Sequence, residues 1–143
     1  MNVYLDTSAL VKLYHDEEGS DRLETYIEEH AETIFLSELA KLEFRSAMWR
    51  RVRMHEIDQD TALSVIACFE NDYDNYAWLN LQSELVQSAS DLFKKYGEQG
   101  LRTLDALQLA SALTVKSADC VFFTADDLLK SFFLKEHLAM IDL

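Results

Sequence analysis

Four acidic residues of this 143-residue chain stand where acids are costly: Asp6, Glu43, Asp105 and Asp126. Asp6 ends the apolar run "VYL", and Asp126 follows "FFTA", so both sit at the close of a strand-like segment. Glu43 falls among Leu39, Ala40, Ser46 and Ala47 on the apolar and small-residue face of its helix, while Lys41 and Arg45 point away. Asp105 lies in "TLDALQLASALTVK", apolar almost all round. A carboxylate on a core-facing surface is unfavourable unless it is paired or bound to a cation. Two of them within ~4 Å repel by about 4 kcal/mol at an effective dielectric near 20, so a converging set requires a neutralising ion. Oxygen donors without His or Cys favour Mg²⁺ or Mn²⁺ over Zn²⁺. One or two such ions suit phosphodiester hydrolysis, lowering the pKa of the attacking water and offsetting charge on the leaving oxygen. That chemistry needs no protein nucleophile; Thr7 and Ser8 are expected to position Asp6 or a water.

Taken singly, each acid also has a plain structural account. Asp6, Thr7 and Ser8 suit an ordinary turn and helix cap. Glu43 suits a salt bridge or a helix edge. Thr103 is a candidate N-cap that would put Asp105 in a first turn, where the helix dipole favours an anion. Thr124 and Asp127 match a capping box, which leaves Asp126 unexplained. The expectation is that capping belongs to the neighbours of Asp6 and Asp126, and that the two acids themselves are free for an ion.

The elements that must position these acids alternate between short apolar strands and amphipathic helices. Val3–Leu5, Ile34–Leu36, Asp119–Thr124 and Ala139–Ile141 read as strands, with a weaker one near Trp78–Leu81. Helices are expected over Ser8–Tyr14, Gly19–His30, Ser37–His55, from Asp58 or Asp60 to Asn71, Ser83–Tyr96, Thr103–Lys116 and Asp126–Lys135. This alternation predicts an α/β fold with a mainly parallel sheet. Ligands of such sheets collect at the carboxyl ends of the strands, where Asp6 and Asp126 fall.

The formal net charge of −13 argues against a polyanionic partner, yet residues 41–53 carry five basic residues against Glu43 alone. Arg50, Arg51 and Arg53 end the Glu43 helix, where they complement its dipole or touch the phosphates of a substrate; Arg102 is a further candidate phosphate contact. Trp49 suits packing or a dimer contact better than base stacking. Cys68 and Cys120 read as buried, reduced thiols, and no two histidines have ligand spacing. With three glycines and no proline, 1–143 reads as a single domain without linkers. The absence of a leader pattern and of any apolar run near ~20 residues makes a cytoplasmic, membrane-free location the expectation.

The segments "YLDTSALVKLY", "FLSELAKLEFRSAMWR", "GLRTLDALQLASAL" and "FFTADDLL" together resemble the PIN-domain family, and more narrowly the VapC toxins of type II toxin–antitoxin pairs. The resemblance covers essentially the whole chain in the family's order. It implies a PIN-like, Rossmann-like three-layer sandwich with a central parallel five-stranded sheet of order 3-2-1-4-5. It implies an Mg²⁺- or Mn²⁺-dependent endoribonuclease in which Asp6, Glu43, Asp105 and Asp126 are the catalytic metal ligands, with Ser8 and Thr124 as supporting pocket residues. It also implies an RNA substrate, a homodimer, and a cognate antitoxin whose C-terminal segment blocks the acid pocket.

Other readings are weaker. A phosphatase of the haloacid dehalogenase type needs a second acid two residues after the first, where this chain has Ser8. A receiver domain needs an acceptor aspartate after the third strand. A catalytically inactive PIN-like binding module, serving a basic partner, is the non-enzyme alternative; the presence of all four acids weighs against it.

Overall fold

The computed structural model describes residues 1–143. In chain order the elements are β1 (Asn2–Leu5), α1 (Thr7–Val11), α2 (Ser20–His30), β2 (Thr33–Ser37), α3 (Ala40–Arg53) and α4 (Gln59–Asn71). They continue with β3 (Ala77–Leu79), α5 (Ser83–Tyr96), α6 (Thr103–Thr114), β4 (Cys120–Phe123) and α7 (Asp127–Lys135). The sheet runs β3-β2-β1-β4 and every pairing is parallel.

Strand alternation builds two cores. In β1, Val3 and Leu5 face one side and Tyr4 the other; in β4, Val121 and Phe123 oppose Phe122. On the Tyr4 side pack Leu85, Leu92 and Tyr96 of α5, Leu109 of α6, and Phe132 and Phe133 of α7. On the other pack Leu10 of α1, Leu23 of α2, Phe44 and Met48 of α3, and Phe69 of α4. Each fully buried Leu or Phe contributes roughly 1.5–3 kcal/mol through removal of apolar surface from water. Burial on both faces explains why these strands read as continuous apolar runs.

Four strands are paired, where the family resemblance implied five. The expected last strand at Ala139–Ile141 contracts to one parallel bridge, Phe122 with Met140, held by Phe122 N to Ala139 O and Ile141 N to Phe122 O. The segment therefore lies beside β4 at the expected place in the order, but too little of it follows the ladder to make a strand. The weak third strand exists and is three residues long. Helix α5 gives way to a short 3₁₀ turn, Gly97–Gln99, and Gly100 closes it at φ 95°, a conformation that favours glycine.

One further expectation changes. Cys120 is buried, and burial pushes its thiol up to about 12, but Cys68 lies on the outer face of α4 and is exposed. Trp49 is half-buried against the α3–α4 core. No helix is long and apolar enough to cross a membrane.

Candidate functional site

The parallel sheet brings the carboxyl ends of β1 and β4 side by side, and the first turns of α3 and α6 meet the same edge. Asp6 follows β1 directly. It is itself the N-cap of α1, its Oδ1 accepting from Ala9 N at 2.9 Å. Ser8 Oγ donates to the same carboxylate at 2.8 Å, and Thr124 Oγ1 donates to Oδ2 at 2.5 Å. Ser8 Oγ in turn accepts from Ala125 N at 2.8 Å, and Thr124 Oγ1 accepts from Asp126 N at 3.1 Å. Two hydroxyls thus lash the β1 turn to the β4 turn. Burial raises the Asp6 carboxyl to about 6; the hydrogen bonds from Thr124, Ala9 and Ser8 oppose the shift, and the charge of Glu43 adds to it.

Glu43 stands in the first turn of α3, half-buried. Its Oε1 accepts from Thr7 Oγ1 at 2.8 Å and from Gln108 Nε2 at 2.7 Å. Burial raises this carboxyl too; the donors Gln108 and Thr7 work against that, and the charge of Asp105 works with it. Asp105, in the first turn of α6, is buried and lies 3.3 Å from Nε of the exposed Arg102. The N-cap position of α6 is Arg102 rather than Thr103, and no side chain caps it.

The three acids Asp6, Glu43 and Asp105 therefore form a series in which each charge is felt by the next, and no cation offsets the first two. Asp126 stands apart. It is the N-cap of α7, Oδ1 accepting from Leu129 N at 3.0 Å. Capping therefore belongs to Asp6 and Asp126 themselves, not to their neighbours, because each directly precedes the first helical residue. As the side chains stand, no three His, Cys, Asp or Glu groups converge tightly enough to enclose an ion. The donor set nonetheless suits one: it is all oxygen, partly shielded from water and in net anionic excess, which fits Mg²⁺ or Mn²⁺.

A groove of about 770 Å³ opens from Thr7, Ser8 and Glu43 along α3 to Arg50, Arg51 and Arg53. Arg51 is tied down, donating to Ala47 O and Glu17 Oε2, both at 3.2 Å. Arg102 lies outside this lining and keeps to Asp105. The exposed side chains of Leu42, Met54 and Leu104 also line the groove, giving it an apolar rim beside its charges.

Sequence reasoning passed over Gln108 and Tyr4, which stand behind Glu43. The available signal was faint: one amide in the apolar run "DALQLASA", three residues past Asp105 on a helix with no solvent face to spare.

The family model described as "PIN domain" matches residues 3–132. Among solved structures, VapC20 of Mycobacterium tuberculosis, described as a Sarcin-Ricin loop cleaving toxin, superposes with a TM-score of 0.69 at 13% identity, covering 92% of this chain and 95% of that one. VapBC2 from Rickettsia felis, solved bound to a DNA fragment from its promoter, gives 0.66 at 12% identity, covering 100% and 99%. VapBC-1 from nontypeable Haemophilus influenzae gives 0.65 at 14%, covering 99% and 98%. At these identities the likeness is one of fold. No curated protein sequence matches the chain.

Proposed function

The chain belongs to the PIN domain family, and from that premise we propose that it is an Mg²⁺- or Mn²⁺-dependent endoribonuclease, the toxin of a VapBC-like pair. The observation that carries the reading is the series Asp6, Glu43 and Asp105, its first two members without a countercharge, beside a groove that Glu43 lines and an arginine-rich helix end floors. Asp6, Glu43 and Asp105 would hold the ion or ions, with Asp126 completing the set from the rim. When bound, the metal lowers the pKa of a water and offsets charge on the leaving oxygen. The chain's own residues supply placement. Ser8 and Thr124 hold Asp6 in one rotamer, Thr7 and Gln108 do so for Glu43, and Arg50 and Arg53 position RNA phosphates without reading sequence.

The apolar rim made by Leu42, Met54 and Leu104 fits an amphipathic antitoxin segment lying in the same groove and excluding RNA. Two of the similar structures are described as VapBC bound to DNA, which supports a partner of the VapB kind. We place residues 1–143 in one PIN domain, acting as a cytoplasmic homodimer.

The test is cleavage of a structured RNA with and without Mn²⁺, by the chain and by Asp6→Asn. Metal-dependent cleavage that Asp6→Asn abolishes supports the nuclease. Binding of a basic partner without any cleavage by the unaltered chain would instead establish the inactive module.

A further inference from the structure

Gln108 projects from the buried face of α6 and is 3% exposed. A primary amide sealed from water must place both its carbonyl and its NH₂. The carbonyl oxygen accepts from the Tyr4 hydroxyl at 2.5 Å, and Tyr4 is fully buried. The nitrogen donates to Glu43 Oε1 at 2.7 Å and reaches Thr7 Oγ1 at 3.2 Å. The two ends of the amide settle each other: a flipped amide would turn its oxygen against an anionic carboxylate and its NH₂ toward the tyrosine.

All hydrogen bonds to the Glu43 side chain end on Oε1, one from Thr7 and one from Gln108. Oε1 is thereby held by both donors, while Oε2 carries no hydrogen bond and belongs to a residue that lines the groove. A carboxylate with one oxygen anchored and one free presents a fixed single donor to a cation. Tyr4 makes no hydrogen bond to an acid of the site, and its hydrogen-bonded route to Glu43 runs through the amide.

We propose that Gln108, with its amide orientation locked by Tyr4, is a positioning residue that aims Glu43 Oε2 into the groove as a metal donor. This rests on the proposed nuclease reading and deepens it. Outer partners of this kind typically change metal affinity by about 10–100-fold. The relay also explains why a tyrosine, and not another apolar residue, fills the centre of β1 on the α5–α7 side.

The experiment is Mn²⁺ titration of the RNA-free protein, followed by the electron paramagnetic resonance of free Mn²⁺. Gln108→Leu should weaken Mn²⁺ binding at least tenfold with the far-UV circular dichroism intact. Tyr4→Phe, which removes one oxygen from a side chain that remains buried, should weaken it threefold to tenfold. The double variant should bind no worse than Gln108→Leu alone, because Tyr4 acts only through the amide. Tyr96→Phe, at another buried tyrosine, bonded to the distant Glu136, should bind as the unaltered protein does. If Glu43→Gln loses Mn²⁺ while Gln108→Leu and Tyr4→Phe keep it, the relay is wrong and the metal site stands. If the unaltered protein binds no Mn²⁺, or Glu43→Gln binds it equally well, the metal reading falls and takes the relay with it. Should Gln108→Leu fail to fold, Tyr4→Phe alone decides.

Discussion

Thr124 donates its hydroxyl to Asp6 Oδ2 at 2.5 Å across 118 positions of sequence. This contact joins the ends of two adjacent strands and holds an acid that burial would otherwise neutralise. Thr124→Val keeps the shape and removes the donor. A hydrogen bond to a charged group contributes about 1.5–3 kcal/mol, so denaturant unfolding at pH 8 should show a loss of roughly that size. Mn²⁺ binding should weaken in parallel. An unchanged midpoint would mean that Ser8 alone suffices to hold the carboxylate.

The raised Asp6 carboxyl makes metal-free stability depend on pH in a definite sense. The unfolded group ionises near 3.8 and the folded one near about 6, so the native state holds the extra proton between these values. Its contribution is complete below pH 4 and is lost as pH rises through 6. The full shift of about two pH units corresponds to roughly 3 kcal/mol, of which roughly 2 kcal/mol is lost between pH 4.5 and 7.5, or a Tm lower by about 5–10 °C in the presence of a chelator. Glu43, shifted upward by the same burial, acts in the same direction. Asp6→Asn retains a capping side chain and should flatten most of this slope. A profile that rises toward neutral pH would contradict the burial of an unpaired acid here.

The arginines separate by what already holds them. Arg50 and Arg53 line the groove, whereas Arg51 is paired with Glu17 and Arg102 with Asp105. Arg50→Ala and Arg53→Ala should each reduce RNA affinity uniformly across sequences and lower the salt slope by about 0.7. Arg102→Ala should leave the slope alone. Fluorescence anisotropy over a salt series distinguishes them, and equal effects of all four would erase the groove as the RNA path.

Most of the fold was legible because its signals are local. The apolar runs at Val3–Leu5 and Cys120–Phe123 and the helical periods of α2, α4 and α5 are written within a few residues. The ends were not, because a cap is decided by one backbone angle: Asp6 at ψ 174° and Asp126 at ψ 113° precede their helices, so each caps its own. The last strand failed because one apolar triplet cannot show how many of its residues will meet a ladder. At the site the acids stood out as charges in apolar surroundings, but Gln108 carries no charge and its role exists only through Tyr4, 104 positions away.

Cys68 and Cys120 give a rapid check on the packing of α4 and β4. The thiol of Cys120 is buried and its pKa pushed up to about 12, so it should resist alkylation at pH 8, while the exposed Cys68 reacts. Mass spectrometry of the native protein should show one adduct, on Cys68, and a second only in denaturant. Fast labelling of Cys120 would mean that β4 is open at its outer side.

Asp126 is where cap and catalysis compete, and isosteric substitution separates them. Its Oδ1 is committed to Leu129 N, which asparagine serves equally well. Asp126→Asn should therefore leave unfolding free energy within about 0.5 kcal/mol, while Asp126→Ala, losing the cap, should cost about 1 kcal/mol. The carboxylate charge is the only thing that Asp126→Asn removes. Because Asp126 is not among the charges that raise Asp6 or Glu43, its charge should matter less to Mn²⁺-dependent cleavage than theirs: a loss of about tenfold, against a hundredfold or more for Asp6→Asn. Equal losses in the two asparagine variants would show that Asp126 swings inward to share the ion. No loss at all would reduce it to a helix cap, and the working set would be three acids.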